Sequence, residues 1–293
     1  MQRIDMRPMS LGEVLDRTFT LYRENFMLFV GISALPRLLS LAAGFLVLWM
    51  QYSLLGMHVP RGSTSAVGVG TAIGASMAIV SLTSIVTIVV YVLTQAATVW
   101  AVSELYLGRT TTVRDSLLSV KGVLWSVLGT MILSGLITIA ALIALILPGI
   151  YFGCRLAVAV PACVVEKNSS GASVTRSLEL TKGFFWQIFL LLMLVVFLAW
   201  SVTAIVEMPV LFFSIKALAA KQTVGFGVSA YNVLAGYVAQ VLVGPVGTIA
   251  ASLMYFNLRV KKEGFDIQHM LNTLSAAPAA PPTAAPLPGA PSL

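Results

Sequence analysis

The chain alternates short stretches whose apolar and polar residues recur at helical spacing with long runs from which polar residues almost vanish. The first patterned stretch opens on Ser10 and Glu13, a capping-box pair in which each side chain satisfies a free backbone N–H at a helix start. A helix is expected from Leu11, with Leu11, Leu15, Phe19 and Tyr22 on one side and Glu13, Asp16, Arg17, Thr20, Arg23 and Glu24 on the other. Such a helix lies on a membrane surface. After Asn25 the polarity stops, and Phe26 to Met57 is interrupted only by Ser33, Pro36, Arg37, Ser40, Gln51 and Tyr52. That is span one, bent near Pro36.

The alternation then repeats. A polar Gly/Ser loop, His58 to Thr71, leads to span two within Ile73 to Leu107. Thr112 caps a second amphipathic stretch that runs through Lys121 into span three, Val123 to Leu147. Pro148 and Gly149 are expected to turn the chain into a short span four, Ile150 to Val165, which holds Arg155 and Pro161. A third amphipathic helix, Ala172 to Lys182, feeds span five from Phe184 to about Val206, with Glu207 and Pro209 as its expected end. Span six, Phe226 to about Phe256, contains Gly244 and Pro245, which should break it. From Ala276 a Pro/Ala tail without charge is expected to be disordered or extended. The chain thus divides into an amphipathic helix over 1–25, a six-span domain over 26–257, a basic segment over 258–275 and a tail over 276–293.

Composition agrees with the pattern: 58% of the 293 residues are apolar and only 10% are charged, against about 25% charged in a soluble domain. The fold class is therefore all-α, a polytopic integral membrane helical bundle of about six transmembrane helices. The net charge of +7 does not point to nucleic acid, because the basic residues flank the apolar runs instead of forming one stripe. Of the 18, Arg61, Lys216 and Lys221 fall in one set of loops and Arg37 and Arg155 within spans, leaving 13 on the alternate set. This bias places both termini and the three amphipathic helices in the cytoplasm, where cations meet anionic inner-leaflet head groups. Membrane lipids are thus the expected partners, with a protein partner or a second copy of the chain also open. The charged first 25 residues lack a secretion signal's apolar core, so the mature chain is expected to start near Met1.

Catalytic patterns are missing. The two cysteines, Cys154 and Cys163, are nine apart and face opposite ways on a helix, so no bridge between them is expected. His58 and His269 fall on opposite sides of the membrane and cannot share a metal. No Gly-x-Ser-x-Gly elbow occurs, and Gly225, Gly227 and Ala230 fit a nucleotide-loop spacing with no preceding strand. Neither enzyme activity nor a cofactor is expected.

The better functional pointers are ionisable and polar residues inside spans, since a mid-bilayer arginine costs roughly 2.5–3.5 kcal/mol on the insertion scale. Arg155 is expected ~8 Å into span four from its outer end, at 1.5 Å per residue, with Glu207 closing span five on the same side. The two residues either pair and lock helices together or line a cavity for a lipid head group or anionic solute. Arg37 is either mid-bilayer or at the inner interface. In span six Asn232, Gly236, Gln240, Gly244, Thr248 and Ser252 recur every four residues, a stripe that suits close helix packing or the lining of a solute path. Gly70/Gly74 and Gly149/Gly153 are GxxxG pairs read as packing. Arg155, Glu207, Asn232, Gln240 and Arg37 form the candidate polar intramembrane site.

Three stretches resemble the bacterial family called the glycerophosphoryl diester phosphodiesterase membrane domain: RPMSLGEVLDRTFTLYRENF (Arg7 to Phe26), LPGIYFGCRLAVAVPACVVEKNSSGASVTRSLELTKGFFWQIF (Leu147 to Phe189) and YFNLRVKKEGFD (Tyr255 to Asp266). The resemblance implies a membrane module in the bacterial cytoplasmic membrane. Some family members join this module to a soluble phosphodiesterase barrel, and the 27 residues after Asp266 do not provide one. Asn257 departs from the family's Tyr-x-Asp-Leu-Arg pattern, which removes any charge-based role there. A non-enzymatic module for envelope or lipid organisation or partner anchoring is the first expectation. A permease or lipid-handling protein with its site between spans four, five and six is the second.

Overall fold

The structure, a computed structural model, describes residues 8–58, 66–220 and 225–264. Arg61, Lys221, His269 and the tail from Ala276 lie outside the described residues. Every regular element described is helical: α1 Leu11–Glu24, α2 Phe26–His58, α3 Ala66–Tyr106, α4 Val113–Ser119, α5 Leu124–Ala144, α6 Ile146–Arg155, α7 Ala159–Glu166, α8 Ser170–Leu180, α9 Phe185–Ala219 and α10 Phe226–Glu263. Six stretches are long and apolar enough to cross a membrane, given by α2, α3, α5, the α6–α7 pair, α9 and α10. α10 is the hub, packing on α9, α2, α3 and α1, while α5, α6 and α8 form a second group that joins the first through α7 against α3. The short helices α1, α4 and α8 gather where α2 begins and α3, α7 and α10 end, which we call the charged end.

α1 starts as its capping box requires, with Ser10 N–H on Glu13 Oε2 at 2.7 Å and Glu13 N–H on Ser10 Oγ at 3.3 Å. Its buried line is Val14, Thr18 and Leu21, however, with Phe19 41% exposed. The buried line is turned from the expected face, although Leu11, Leu15 and Tyr22 still pack against the core, and the buried Thr18 hydroxyl is satisfied by Val14 O at 2.7 Å. Asn257 then ties the approach to α1 down: its Oδ1 accepts from Met9 N–H at 2.8 Å and its Nδ2 donates to Met9 O at 3.1 Å. The amide matters because it is both donor and acceptor.

The turn between spans three and four falls at Leu145, which is extended (φ −165, ψ 146), and not at Pro148 and Gly149. Pro148 is the third residue of α6, where a missing N–H leaves no bond unmade. Gly149 is helical too, and a Cβ there would sit 2.8 Å from Leu142 Cα, while one on Gly153 would touch Thr138 at 3.5 Å. This GxxxG pair therefore seats α6 on α5. Gly74 meets nothing within 4 Å and has no such use.

The prolines neither end span five nor break span six as expected. α9 continues through Glu207 and Pro209, and α10 through Gly244 and Pro245. A helical proline lacks an N–H and disturbs the carbonyls one turn before it, a cost that neighbouring side chains can offset in a membrane. Beside each proline a tyrosine from another helix bonds a carbonyl of the turn before it, although the carbonyl that loses its own N–H donor is the one four residues back (Ile32, Ile205 and Val241). Tyr237 bonds Ala34 O at 3.3 Å ahead of Pro36, Tyr231 bonds Val206 O at 3.1 Å ahead of Pro209, and Tyr22 bonds Leu242 O at 2.8 Å ahead of Pro245.

Replacing Asn257 with Asp tests the tether at α1, because a carboxylate keeps the bond from Met9 N–H but faces Met9 O with no proton to give. We expect a loss of ~1–3 kcal/mol, read as a lower Tm of the detergent-purified protein. An unchanged Tm would mean that the second bond contributes nothing.

Candidate functional site

At the charged end, ionisable groups consume one another. Glu166, the last residue of α7, accepts Arg176 Nε on both oxygens at 3.0 and 3.2 Å and the Tyr255 hydroxyl at 2.7 Å. Arg176 also pairs with Glu263, which takes Arg259 Nε at 3.1 Å. Span four, α8 and span six are thereby clamped through alternating charges. Burial by itself would lower the Arg176 pKa, and the bonds from Glu166 and Glu263 outweigh it and hold the value above that of an ordinary arginine. The sequence held a signal for this clamp, since all five residues lie inside the second and third motif stretches.

Arg155 belongs to the same end and does not meet Glu207. As the last residue of α6 it reaches α8, donating from Nη2 to Leu178 O and from Nε to Thr181 Oγ1 at 3.4 Å, with Nη1 on Tyr151 at 3.1 Å. In return, Ser177 Oγ and Thr181 Oγ1 donate to Arg155 O at 2.7 and 3.2 Å. Two helix ends thus cap each other across the break in span four at Leu156–Val158. The reason the expected pair fails is geometric: α6 starts at Ile146, which moves Arg155 a turn further from the outer end, and α8 dips in to meet it.

Arg37, Asn232 and Gln240 do come together. Arg37 sits eleven residues into the continuous α2, ~17 Å along it at 1.5 Å per residue, and is 6% exposed. Its Nη1 is buried with no hydrogen-bond partner among the described residues, and so is the hydroxyl of Ser40 one turn on. Three adjoining cavities of ≈ 550, ≈ 250 and ≈ 250 Å³ share Ser40 and Thr87 in their walls. Arg37 and Gln240 line the two smaller ones, Tyr91 closes one and Tyr237 the other. The largest runs along Gly44, Gln51, Thr83, Ser229 and Asn232 toward the end opposite the charged one. Gly244 makes the room for this: a Cβ there would lie 2.9 Å from Arg37 Nη2. One turn below, Thr248 Oγ1 donates to Gln95 Oε1 and joins α10 to α3.

Glu207 borders a neighbouring cavity of ≈ 490 Å³ against α9, which shares Asn232 with the first. No acidic side chain lines the three Arg37 cavities. Sequence reasoning missed Ser40, Thr87 and Tyr91. For Ser40 the signal existed, because Arg37, Ser40, Gly44 and Gln51 stand at i, i+3, i+7 and i+14 and so share one face of α2. Cys154 and Cys163 are both buried and free. Among the described residues, no three His, Cys, Asp or Glu side chains come together to hold a metal ion.

The two arginines differ in a way that can be measured. Arg155→Met leaves Leu178 O without its donor and should cost ~1–3 kcal/mol, seen as a lower Tm. Arg37→Met removes a buried cation with an unmatched donor and should leave Tm unchanged or raise it. Equal losses for both would contradict the contrast between a consumed and an unconsumed arginine.

Residues 127–273, half of the chain, match the membrane domain of glycerophosphoryl diester phosphodiesterase. The match takes in the clamp, Arg155 and all of α10, while Arg37, Ser40 and Thr87 precede it. No curated protein and no solved structure matches the chain. This integral membrane protein belongs to the family of the glycerophosphoryl diester phosphodiesterase membrane domain, and only that membrane domain, not a catalytic one, is matched.

Proposed function

We propose that this chain is a non-enzymatic, ligand-handling membrane module of the bacterial cytoplasmic membrane, whose working part is the cavity system between α2, α3, α9 and α10. One observation carries the reading: Arg37 is buried among membrane spans, keeps a guanidinium nitrogen without a partner among the described residues, and lines two adjoining cavities that also hold Ser40, Thr87 and Gln240. A purely organising scaffold has no use for that arrangement, because an arginine in hydrocarbon is stabilised by partners, as Arg155 and Arg176 are. The polar stripe of α10 supports the same reading, with Asn232, Gly236 and Gln240 lining space and Gly244 spacing the guanidinium.

The orientation in this proposal follows the charge bias, with the charged end in the cytoplasm and the large cavity opening outward. The basic residues of α1, α8 and the end of α10 then face anionic inner-leaflet lipids. A large cavity near the outer end and a clamped inner end suit a site that takes its ligand from the outer side or outer leaflet.

Cysteine accessibility tests this directly, because the native thiols are buried and only a hydrated thiol ionises and reacts. Asn232→Cys in intact cells should react with a membrane-impermeant methanethiosulfonate added outside, and Val238→Cys, on the lipid-facing side of the same helix, should not. An inert Asn232→Cys would overturn the outward-open cavity.

A further inference from the structure

We infer that the Arg37 cavity is a binding site for a single phosphate monoanion, carried either as the phosphodiester of a membrane lipid or as a free phosphate. The inference rests on the cavity reading above and names the ligand chemistry. Charge comes first: one arginine and no carboxylate line the three cavities, so the site is complemented by one negative charge. A phosphodiester carries that charge at neutral pH. The unpaired donors come next. Arg37 Nη1 and Ser40 Oγ are both buried without partners, and Gln240 and Tyr91 stand in the same wall from two other helices. Donors arriving from three helices suit the four oxygens around a tetrahedral phosphorus, whereas a planar carboxylate is saturated by one guanidinium edge.

The geometry also gives an entrance. α3 and α10 are joined where Thr248 meets Gln95, and two turns on, where Tyr91, Ile88 and Gln240 line a cavity with Arg37, the two helices form a fork around it. Tyr91 is 48% exposed and Ile88 51%, both on the bilayer side of that fork. A head group can therefore sit on Arg37 while its acyl chains stay among the lipids. Gly244 sets the depth, because a methyl group there would push the guanidinium toward the ligand space.

Native mass spectrometry of the full chain in maltoside micelles tests the inference, with phosphatidylglycerol, oleate and inorganic phosphate added as separate probes. The wild type is expected to retain phosphatidylglycerol, with retention about tenfold or more lower in Arg37→Met and partly restored in Arg37→Lys, the loss of one charge-assisted contact. Gln240→Leu, which keeps the charge, should lower retention less. If inorganic phosphate displaces the lipid through the same Arg37 dependence, the phosphate chemistry stands and the free ion is a source. If it does not, the lipid is the source. Oleate retained as well as phosphatidylglycerol, or lipid retention equal in wild type and a folded Arg37→Met, overturns the inference. A reactive Asn232→Cys alongside either of those results leaves the hydrated cavity standing and removes only its ligand. An inert one removes both.

Discussion

Hydrocarbon offers no hydrogen-bonding partner, so each carbonyl freed by a proline or a helix break, and each charge drawn inside, must find its partner within the protein. The structure is organised by that requirement. Span four breaks at Leu156–Val158, and the freed Arg155 carbonyl goes to two hydroxyls of α8 while the Arg155 guanidinium closes the end of α8. Tyr22, Tyr231 and Tyr237 each cross to another helix to bond a carbonyl two or three residues ahead of a proline, in the turn that its ring distorts. A phenol is well suited to this task, since its ring packs among apolar side chains and only the hydroxyl needs a partner.

The same requirement explains why the charges collect at one end. Glu166, Arg176, Arg259 and Glu263 are only 16–27% exposed, and each makes at least one ion pair with another. Removing one partner from such a set leaves another half-buried charge uncompensated, so the clamp holds α7, α8 and α10 in one arrangement. Arg37 stands outside this economy of partners. It is more buried than any charged residue of the clamp and yet keeps a donor without a partner among the described residues.

Much of the fold was legible because the dominant signal, twenty or more apolar residues between charged flanks, is set by bilayer thickness. The caps at Ser10 and Thr112 were readable for a similar reason, since each depends on residues three apart. What failed was the reading of breakers. Pro148 looked like a turn, Pro209 like an end and Pro245 like a break because a proline's local chemistry is visible, while the tyrosine that bonds near Pro209 is 22 residues away and the one near Pro245 comes from α1. The site divided along the same line. Arg37, Asn232 and Gln240 could be singled out by polarity within a span, and the stripe of α10 by its period of four. Which arginine faced the stripe depended on α8, whose insertion against Arg155 leaves no trace in the spacing of either segment.

Where the stability sits bears on what the cavity can do. The buried residues of α10 run from Ala235 to Val260 and crowd toward the charged end, where Tyr255, Phe256 and Leu258 are almost fully enclosed and Phe256 stacks on Tyr106 at 4.3 Å. The Asn232 end of the same helix is open. A polar cavity set in the main core would forfeit the packing that holds the bundle, whereas one placed beyond it leaves that packing intact. The matched region fits this division, since it includes the clamp and α10 and excludes Arg37, Ser40 and Thr87. The matched part holds the clamp and the α10 wall of the cavities, Asn232, Gly236 and Gln240, while the cavity's charge comes from Arg37 on α2, ahead of the matched residues.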